Sequence, residues 1–196
     1  PGGYIHMGGD EAHSTKESDY IYFVEKMQSI IKPYGLKVIG WEDIAAGNMQ
    51  PDVIAQHWAR PNLAQKAVNR GMKIIMSPSS RTYIDMKYTK STQLGLDWAG
   101  LIEAKHAYDW DPATQVPGIT EENILGVEAP LWAETIQKVS DIEYMAFPRV
   151  PGYAEMGWSQ ADSRKWEEYR TRIGSQGPRF RNMNINFYAS PEIPWK

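Results

Sequence analysis

Short apolar runs that end in polar and aromatic residues, and that alternate with helical patterns, constrain this chain more than any other feature. Tyr4-Ile5-His6-Met7 stops at Gly8-Gly9-Asp10-Glu11, and Lys37 to Trp41, with Val38 and Ile39, is followed by Glu42-Asp43. Asp52 to Trp58, with Val53 and Ile54, ends in His57-Trp58; Lys73 to Met76 leads to Tyr83 and Asp85; Ile124 to Leu131 leads to Trp132 and Glu134. Each run has the length of a strand, and the segments between them read as helices. A capping-box form at Ser14 to Glu17 opens a helix with Ile21, Val24, Ile30 and Ile31 among its apolar positions, ending near Pro33-Tyr34-Gly35. Pro61 to Arg70 reads as a helix closed by Gly71. A second capping box at Ser140 to Glu143 opens another through Tyr144 and Met145. A last helix is expected over Asp162 to Ile173, before a proline-rich tail. Ser77 to Asn123 is long, aromatic and irregular, and connections of that length are usually functional.

Strands alternating with helices point to an α/β fold with a parallel sheet. About five strands would fill an open doubly wound sheet, whereas a closed barrel needs eight. No glycine-rich phosphate loop of the dinucleotide type follows any strand, and neither an internal repeat nor a domain boundary breaks the pattern. A net charge of -3 supplies no basic field for nucleic acid. No apolar run approaches the roughly 18 residues of a membrane span. The absence of cysteine excludes disulfides, thiolate metal sites and cysteine nucleophiles. Eight Trp and eleven Tyr against four Phe is an aromatic balance that suits flat sugar faces as well as packing.

In parallel α/β folds the site lies at the carboxyl ends of the strands, which is where these polar and aromatic residues fall. Gly8-Gly9 permits a tight turn, and Asp10-Glu11 then places two carboxylates at the mouth of a strand. Adjacent carboxylates repel, so one can hold a proton while the other stays ionised, the division that acid–base chemistry needs. An acidic turn that caps the next helix is the plain alternative. His6, Asp10, Glu11 and His13 are ligand-type residues, but they lack the zinc-helix spacing of two histidines at i and i+4.

The run His6-Met7-Gly8-Gly9-Asp10-Glu11 resembles the signature of family 20 glycoside hydrolases, the β-N-acetylhexosaminidases. The resemblance extends in order through Gly40-Trp41-Glu42, Gln56-His57-Trp58, Tyr83-Ile84-Asp85, Asp97-Trp98, Glu128 to Glu134, Ala146-Phe147-Pro148-Arg149 and Glu155 to Ser159. It implies that the chain is strands four to eight, with their helices, of a TIM (β/α)8 barrel. The whole of residues 1–196 is then the C-terminal portion of one catalytic domain. The implied activity is exo-acting, retaining release of terminal N-acetylglucosamine or N-acetylgalactosamine, assisted by the substrate's own acetamido group. By the same resemblance Glu11 is the general acid/base, Asp10 orients the acetamido group and Tyr83 donates to its oxygen. Trp41, Trp58 and Trp132 wall the sugar, Asp85 and Glu134 accept from its outer hydroxyls, Trp98 lines the leaving-group side and His6 supports the acidic pair. Neither metal nor cofactor is implied, and the partners are chito-oligosaccharides or other glycans, with no nucleic acid or membrane.

The resemblance also implies that the first three strands, with an arginine, an aspartate and a histidine that grip the sugar, have no counterpart here; Arg60, Arg70 and Arg81 do not take the arginine's place. An open barrel exposes strand edges, so self-association is expected, and an inert piece with residual sugar binding is the alternative to an active enzyme. A secreted or periplasmic bacterial location is what the resemblance suggests. Trp110, Trp158, Trp166 and Trp195 read as structural, and His57 and His106 have no evident role.

Overall fold

The computed structural model describes residues 2–196. The elements run β1 (Tyr4–His6), α1 (Glu17–Ile31), β2 (Lys37–Trp41), β3 (Ile54–His57), α2 (Pro61–Asn69) and β4 (Lys73–Met76). There follow α3 (Ser79–Thr82), α4 (Ala104–Tyr108), β5 (Ile124–Val127), α5 (Val139–Ala146), α6 (Arg149–Trp158), α7 (Trp166–Gly174) and α8 (Gly177–Asn182). Two compact units divide them: residues up to Met76 with Pro112–Gly126, and Ser77–Asp111 with Val127–Lys196.

The first unit holds the sheet, in the order β1-β2-β3-β4-β5. β1 to β4 pair in parallel, with Ile5 opposite Val38, Gly40 opposite Ala55 and Gln56 opposite Ile75. Every strand neighbours its predecessor, so the order never reverses. A doubly wound sheet reverses at its switch point, whereas a barrel does not. The sequence therefore folds as part of a (β/α)8 barrel. Val38, Ile54, Ala55, Ile74 and Met76 are buried with Val24 and Ile31 of α1 and Ala64 and Ala67 of α2. Strands covered on both faces are apolar throughout, which is why they stand out as runs in the sequence. The outer edge of β1 is different: Tyr4 and Ile5 are exposed, as are Tyr22 and Phe23 of α1.

The second unit packs aromatic residues and helices without a sheet of its own. Tyr108, Trp166, Tyr169, Ile173, Phe180 and Ile193 form its core, with Trp195 and Phe187 against them. Tyr108 stacks on Tyr169 at 4.1 Å between ring centres.

Several sequence expectations need correction. Ser14 does not cap α1: the N-cap is Lys16, without a side-chain bond, because Ala12 to Thr15 is spent on a turn closed by Thr15 N–H to Ala12 carbonyl. Ser140 lies inside α5, whose N-terminus is instead held by Asp141, accepting from Gln137 and Lys138 N–H. β5 ends at Val127 rather than Leu131; Pro130 has no N–H for a ladder, and its carbonyl accepts from Ile84. The helix expected over Asp162 to Ile173 is a 3-10 turn at Ala161–Ser163 followed by α7. Helices α3 and α4 lie within the segment Ser77 to Asn123 that reads as irregular, and two more, α6 and α8, are not expected from the sequence either. Pro151 and Pro178 make both segments look like loop, yet each proline stands in a first turn, where its missing N–H costs nothing. Trp166 and Trp195 do pack in the core, but Trp158, 92% exposed at the end of α6, fills none.

Candidate active site

In the first unit the site is a turn built by backbone bonds. β1 delivers the chain to Gly8 and Gly9, both in the left-handed region, and Glu11 follows at φ 51, a conformation uncommon outside glycine. Trp41 N–H donates to Gly8 carbonyl at 3.0 Å, and Tyr20 hydroxyl donates to Gly9 carbonyl at 2.6 Å. A Cβ on Gly9 would stand 2.8 Å from Ile44 Cγ2, so only glycine fits. Burial, with the negative charges of Asp43 and Asp10, pushes the Tyr20 hydroxyl above its ordinary range, so it stays a donor. Gly8 N–H donates to His6 Nδ1 at 3.1 Å. The ring proton is therefore on Nε2, which faces Gln56 Oε1 at 3.0 Å. His6 packs edge-on against Trp41 at 5.6 Å. Asp10 and Glu11 emerge exposed from this scaffold. A backbone held in a strained region at an acidic residue is the arrangement expected where a carboxylate is aimed rather than merely solvated.

Trp58 is held by two neighbouring acids. Glu42, fully buried, accepts from Trp58 N–H at 3.0 Å, from Ala59 N–H at 2.8 Å, from Arg60 N–H and from His57 Nδ1. Asp43 accepts from the Trp58 indole at 3.2 Å and pairs with Arg60 at 3.3 Å. The sequence marks Glu42, Asp43 and His57 at strand ends without giving any of them a role; the structure shows them fixing the β3–α2 connection that presents Trp58. Arg70 donates to the carbonyls of Ala45 and Gly47.

In the second unit Tyr83 is buried, with Trp98 edge-on at 5.8 Å and Trp132 tilted at 6.3 Å. Trp98 and Trp132 are themselves about half exposed, so the three rings form a wall with one open side. Asp85 is 2% exposed, and neither carboxylate oxygen has a hydrogen-bond partner in good geometry, although the N–H groups of Asp85 and Trp132 face it. Burial, chiefly, lifts this carboxyl from 3.8 to about 6; Glu134 adds to the rise and Arg149 opposes it. A turn cap, the plain alternative for Asp85, would be hydrogen-bonded. Glu134 is exposed, beyond the end of β5. His106 joins Arg81 and the Ser80 carbonyl, and so ties α4 to α3.

The structure thus brings together His6, Asp10, Glu11 and Trp41 around one turn, holds Trp58 on the adjoining connection, and gathers Tyr83, Trp98 and Trp132 as one cluster with Asp85 close in sequence. The residue that sequence reasoning misses is Arg149, the largest fully buried side chain. Nothing local signals that an arginine beside a proline is buried.

Comparison with known proteins agrees with this fold. The model of the glycosyl hydrolase family 20 catalytic domain matches residues 13–161. A β-N-acetylhexosaminidase of Cellulomonas fimi is 37% identical over the whole chain, which covers 40% of that protein. The solved β-N-acetylhexosaminidase of Streptomyces coelicolor superposes with a TM-score of 0.97 at 43% identity, over all of this chain and 41% of that one. The Streptomyces plicatus enzyme in complex with Thio-NAglucal gives 0.97 at 44%, with the same coverage. The chain therefore spans about two fifths of the length of these relatives.

Proposed function

Since the chain belongs to glycosyl hydrolase family 20 and forms part of its catalytic barrel, we propose that the whole protein is an exo-acting β-N-acetylhexosaminidase that works with retention through its substrate's acetamido group. The observation that carries this reading is the Gly8-Gly9-Asp10-Glu11 turn, where two adjacent carboxylates rise from one rigid, strained support. Carboxylates side by side on one turn cannot flank a sugar ring from opposite faces, as a two-carboxylate retaining site requires. An internal nucleophile removes that requirement.

Glu11 protonates the glycosidic oxygen as the bond to the anomeric carbon breaks, while the acetamido oxygen closes on that carbon to give an oxazolinium. Asp10 orients the acetamido N–H and balances the positive charge that develops there. Glu11, now ionised, takes a proton from water, which opens the oxazolinium and restores the original configuration. Tyr83 donates its hydroxyl to the acetamido oxygen. Trp41, Trp58 and Trp132 hold the group in its attacking pose, the gain coming from orientation and from exclusion of water. Asp85 and Glu134 accept from the outer hydroxyls, and Trp98 borders the leaving group. The substrate class is a terminal N-acetylhexosamine of a glycan or chito-oligosaccharide.

The test is hydrolysis of an aryl N-acetyl-β-glucosaminide by the full-length protein. Glu11→Gln is expected to lower kcat on the order of 10²- to 10⁴-fold, and Asp10→Asn to lower both turnover and binding of a thiazoline inhibitor. Unchanged turnover in Glu11→Gln defeats the assignment. A second reading, that the 196-residue chain alone is inert and self-associates, is favoured by the exposed Tyr4 and Ile5 on the outer strand β1. Turnover by this chain as purified, lost in Glu11→Gln, would rule out inertness.

A further inference from the structure

We infer that Arg149 is a positioning residue for sugar binding: by gathering the carbonyls on both sides of Asp85 it fixes the segment that presents Tyr83 and Asp85. The inference rests on the proposed function, in which these two residues touch the sugar. Arg149 opens α6 and is 1% exposed. Among the described residues no carboxylate lies within ion-pairing range of it. Its guanidinium instead donates to Ile84 carbonyl at 2.5 Å, Met86 carbonyl at 2.8 Å, Ile102 carbonyl at 3.1 Å and Met145 carbonyl at 2.6 Å. The same group lies 3.9 Å over the ring of Tyr88, whose hydroxyl donates among the carbonyls of Tyr144, Met145 and Phe147.

This arrangement leaves Asp85 in an unusual condition. The carbonyls of the residues before and after it, Ile84 and Met86, are clamped by one cation, and its own carbonyl accepts from Leu96 N–H at 2.9 Å. Its side chain is thus placed by the backbone rather than by hydrogen bonds of its own, and both oxygens keep their accepting capacity for a ligand. Only a planar fork with five donors can meet carbonyls arrayed around it; an ammonium cannot. The clamp also carries charge. The groups acting on the Asp85 carboxylate are Glu134, which disfavours ionisation, and Arg149 and the N–H groups of Asp85 and Trp132, which favour it. Arg149 therefore both aims Asp85 and helps it stay ionised as an acceptor.

The experiment measures kcat, KM and inhibition by N-acetylglucosamine in the full-length protein, over pH 5 to 8, for Arg149→Lys, Arg149→Met, Asp85→Asn and the double variant Arg149→Lys/Asp85→Asn. Near-ultraviolet circular dichroism checks folding. Arg149→Lys is expected to weaken N-acetylglucosamine binding about 10- to 100-fold, the scale of a misplacement near an ångström. Because much of its effect runs through Asp85 and the rest through Tyr83, the loss should be smaller, though not zero, once Asp85 is already asparagine. Arg149→Met, if folded, should also move the acid limb of kcat/KM to higher pH, whereas Arg149→Lys, which keeps the charge, should move it less. Equal losses from Arg149→Lys with and without Asp85 would overturn the inference, and so would unchanged inhibitor affinity in a folded Arg149→Lys. Should Arg149→Met not fold, the Arg149→Lys and Asp85→Asn pair still decides. An active wild type with additive variants sinks only the clamp, while a folded wild type without turnover sinks the proposed activity and the inference with it.

Discussion

Glu42 in the first unit and Arg149 in the second do the same job with opposite charge. Glu42 is a buried anion that collects donors: the N–H groups of Trp58, Ala59 and Arg60 and the imidazole of His57. Arg149 is a buried cation that collects the carbonyls of Ile84, Met86, Ile102 and Met145. They differ in reach. Glu42 ties residues 15 to 18 positions away, across one strand-to-strand step. Arg149 ties residues 63 and 65 positions away, closing a loop that no hairpin or ladder closes. They differ also in depth: the partners of Arg149 are buried, whereas Ala59 and Arg60 reach the surface, where water can replace a lost acceptor. A sheet positions its site residues by register and needs side chains only for trimming. A region without a sheet depends on long-range ties from side chains such as Arg149, Tyr88 and Tyr153.

Arg149 is where this difference should show most severely. Arg149→Met keeps the volume but leaves buried carbonyls without their donor, and the expected loss is about 3–5 kcal/mol of unfolding free energy. Urea unfolding of the full-length protein measures it. A loss no greater than that of an exposed arginine, such as Arg179, would mean that the carbonyls find other donors.

Two glycines carry the same contrast at the next scale. A Cβ on Gly95, at φ +93, would stand 2.5 Å from the Asp85 carbonyl and 2.6 Å from Met145, so backbone must move. A Cβ on Gly9, at φ +100, meets the side chains of Ile44 and Tyr20. Gly95→Ala should therefore cost about 3 kcal/mol or more and Gly9→Ala about 1–3 kcal/mol, both including the strain of a left-handed alanine. Gly9→Ala should nevertheless lower kcat more than its stability loss explains, because it distorts the turn that aims Glu11. Melting temperatures read beside kcat separate the two effects. Glu42→Gln comes lower: one oxygen remains to accept, but an NH2 now faces donors, at a cost of about 1–3 kcal/mol. Its signature should be a changed fluorescence of Trp58.

The same difference decides what can be read from the sequence. β2 to β4 are legible because largely buried strands are apolar runs; β1, though exposed, is legible because its short apolar run stops at Gly8-Gly9, which with Gly71 marks where the chain must turn. Asp10, Glu11, Trp41 and Trp58 follow, since strand ends place them. Tyr83 and Asp85 are marked as candidates only by lying past the fourth strand, and their roles come through family resemblance. Their positions depend on Arg149, and no local period connects residue 149 to residue 85. α6 and α8 are hidden for a related reason: a proline in a first turn has the sequence appearance of a loop, and only packing reveals the helices, α6 against Tyr108 and α8 through its Phe180 against Phe147, Phe187 and Trp195. The fifth strand reads too long because Ala129 to Leu131 prolongs its apolar run, while the Pro130 carbonyl bonds to Ile84 instead.

The smallest effect tests whether the second unit trades stability for a poised ligand contact. Asp85 has its carboxyl at about 6 in the fold, against 3.8 for an ordinary aspartate. The fold therefore binds this proton more tightly than the unfolded chain does. The stability that comes with it is fully present below about pH 3.8 and is lost as pH rises through about 6. Above that, the ionised carboxylate is a buried charge that the facing N–H groups of Asp85 and Trp132 meet only in poor geometry, a net cost that asparagine does not incur. Asp85→Asn should accordingly leave stability near pH 4 unchanged and raise it by about 1–2 kcal/mol at pH 7.5, below the ceiling of about 3 kcal/mol that the displacement from 3.8 to about 6 allows. At both pH values it should weaken N-acetylglucosamine binding. Thermal unfolding at the two pH values reads the first effect and inhibition the second. A gain in stability that is the same at both would show that the carboxylate is not what strains the site. A gain confined to pH 7.5 together with lost affinity would show the opposite: that the site keeps a group the fold alone would rather not ionise, because the ligand needs it there.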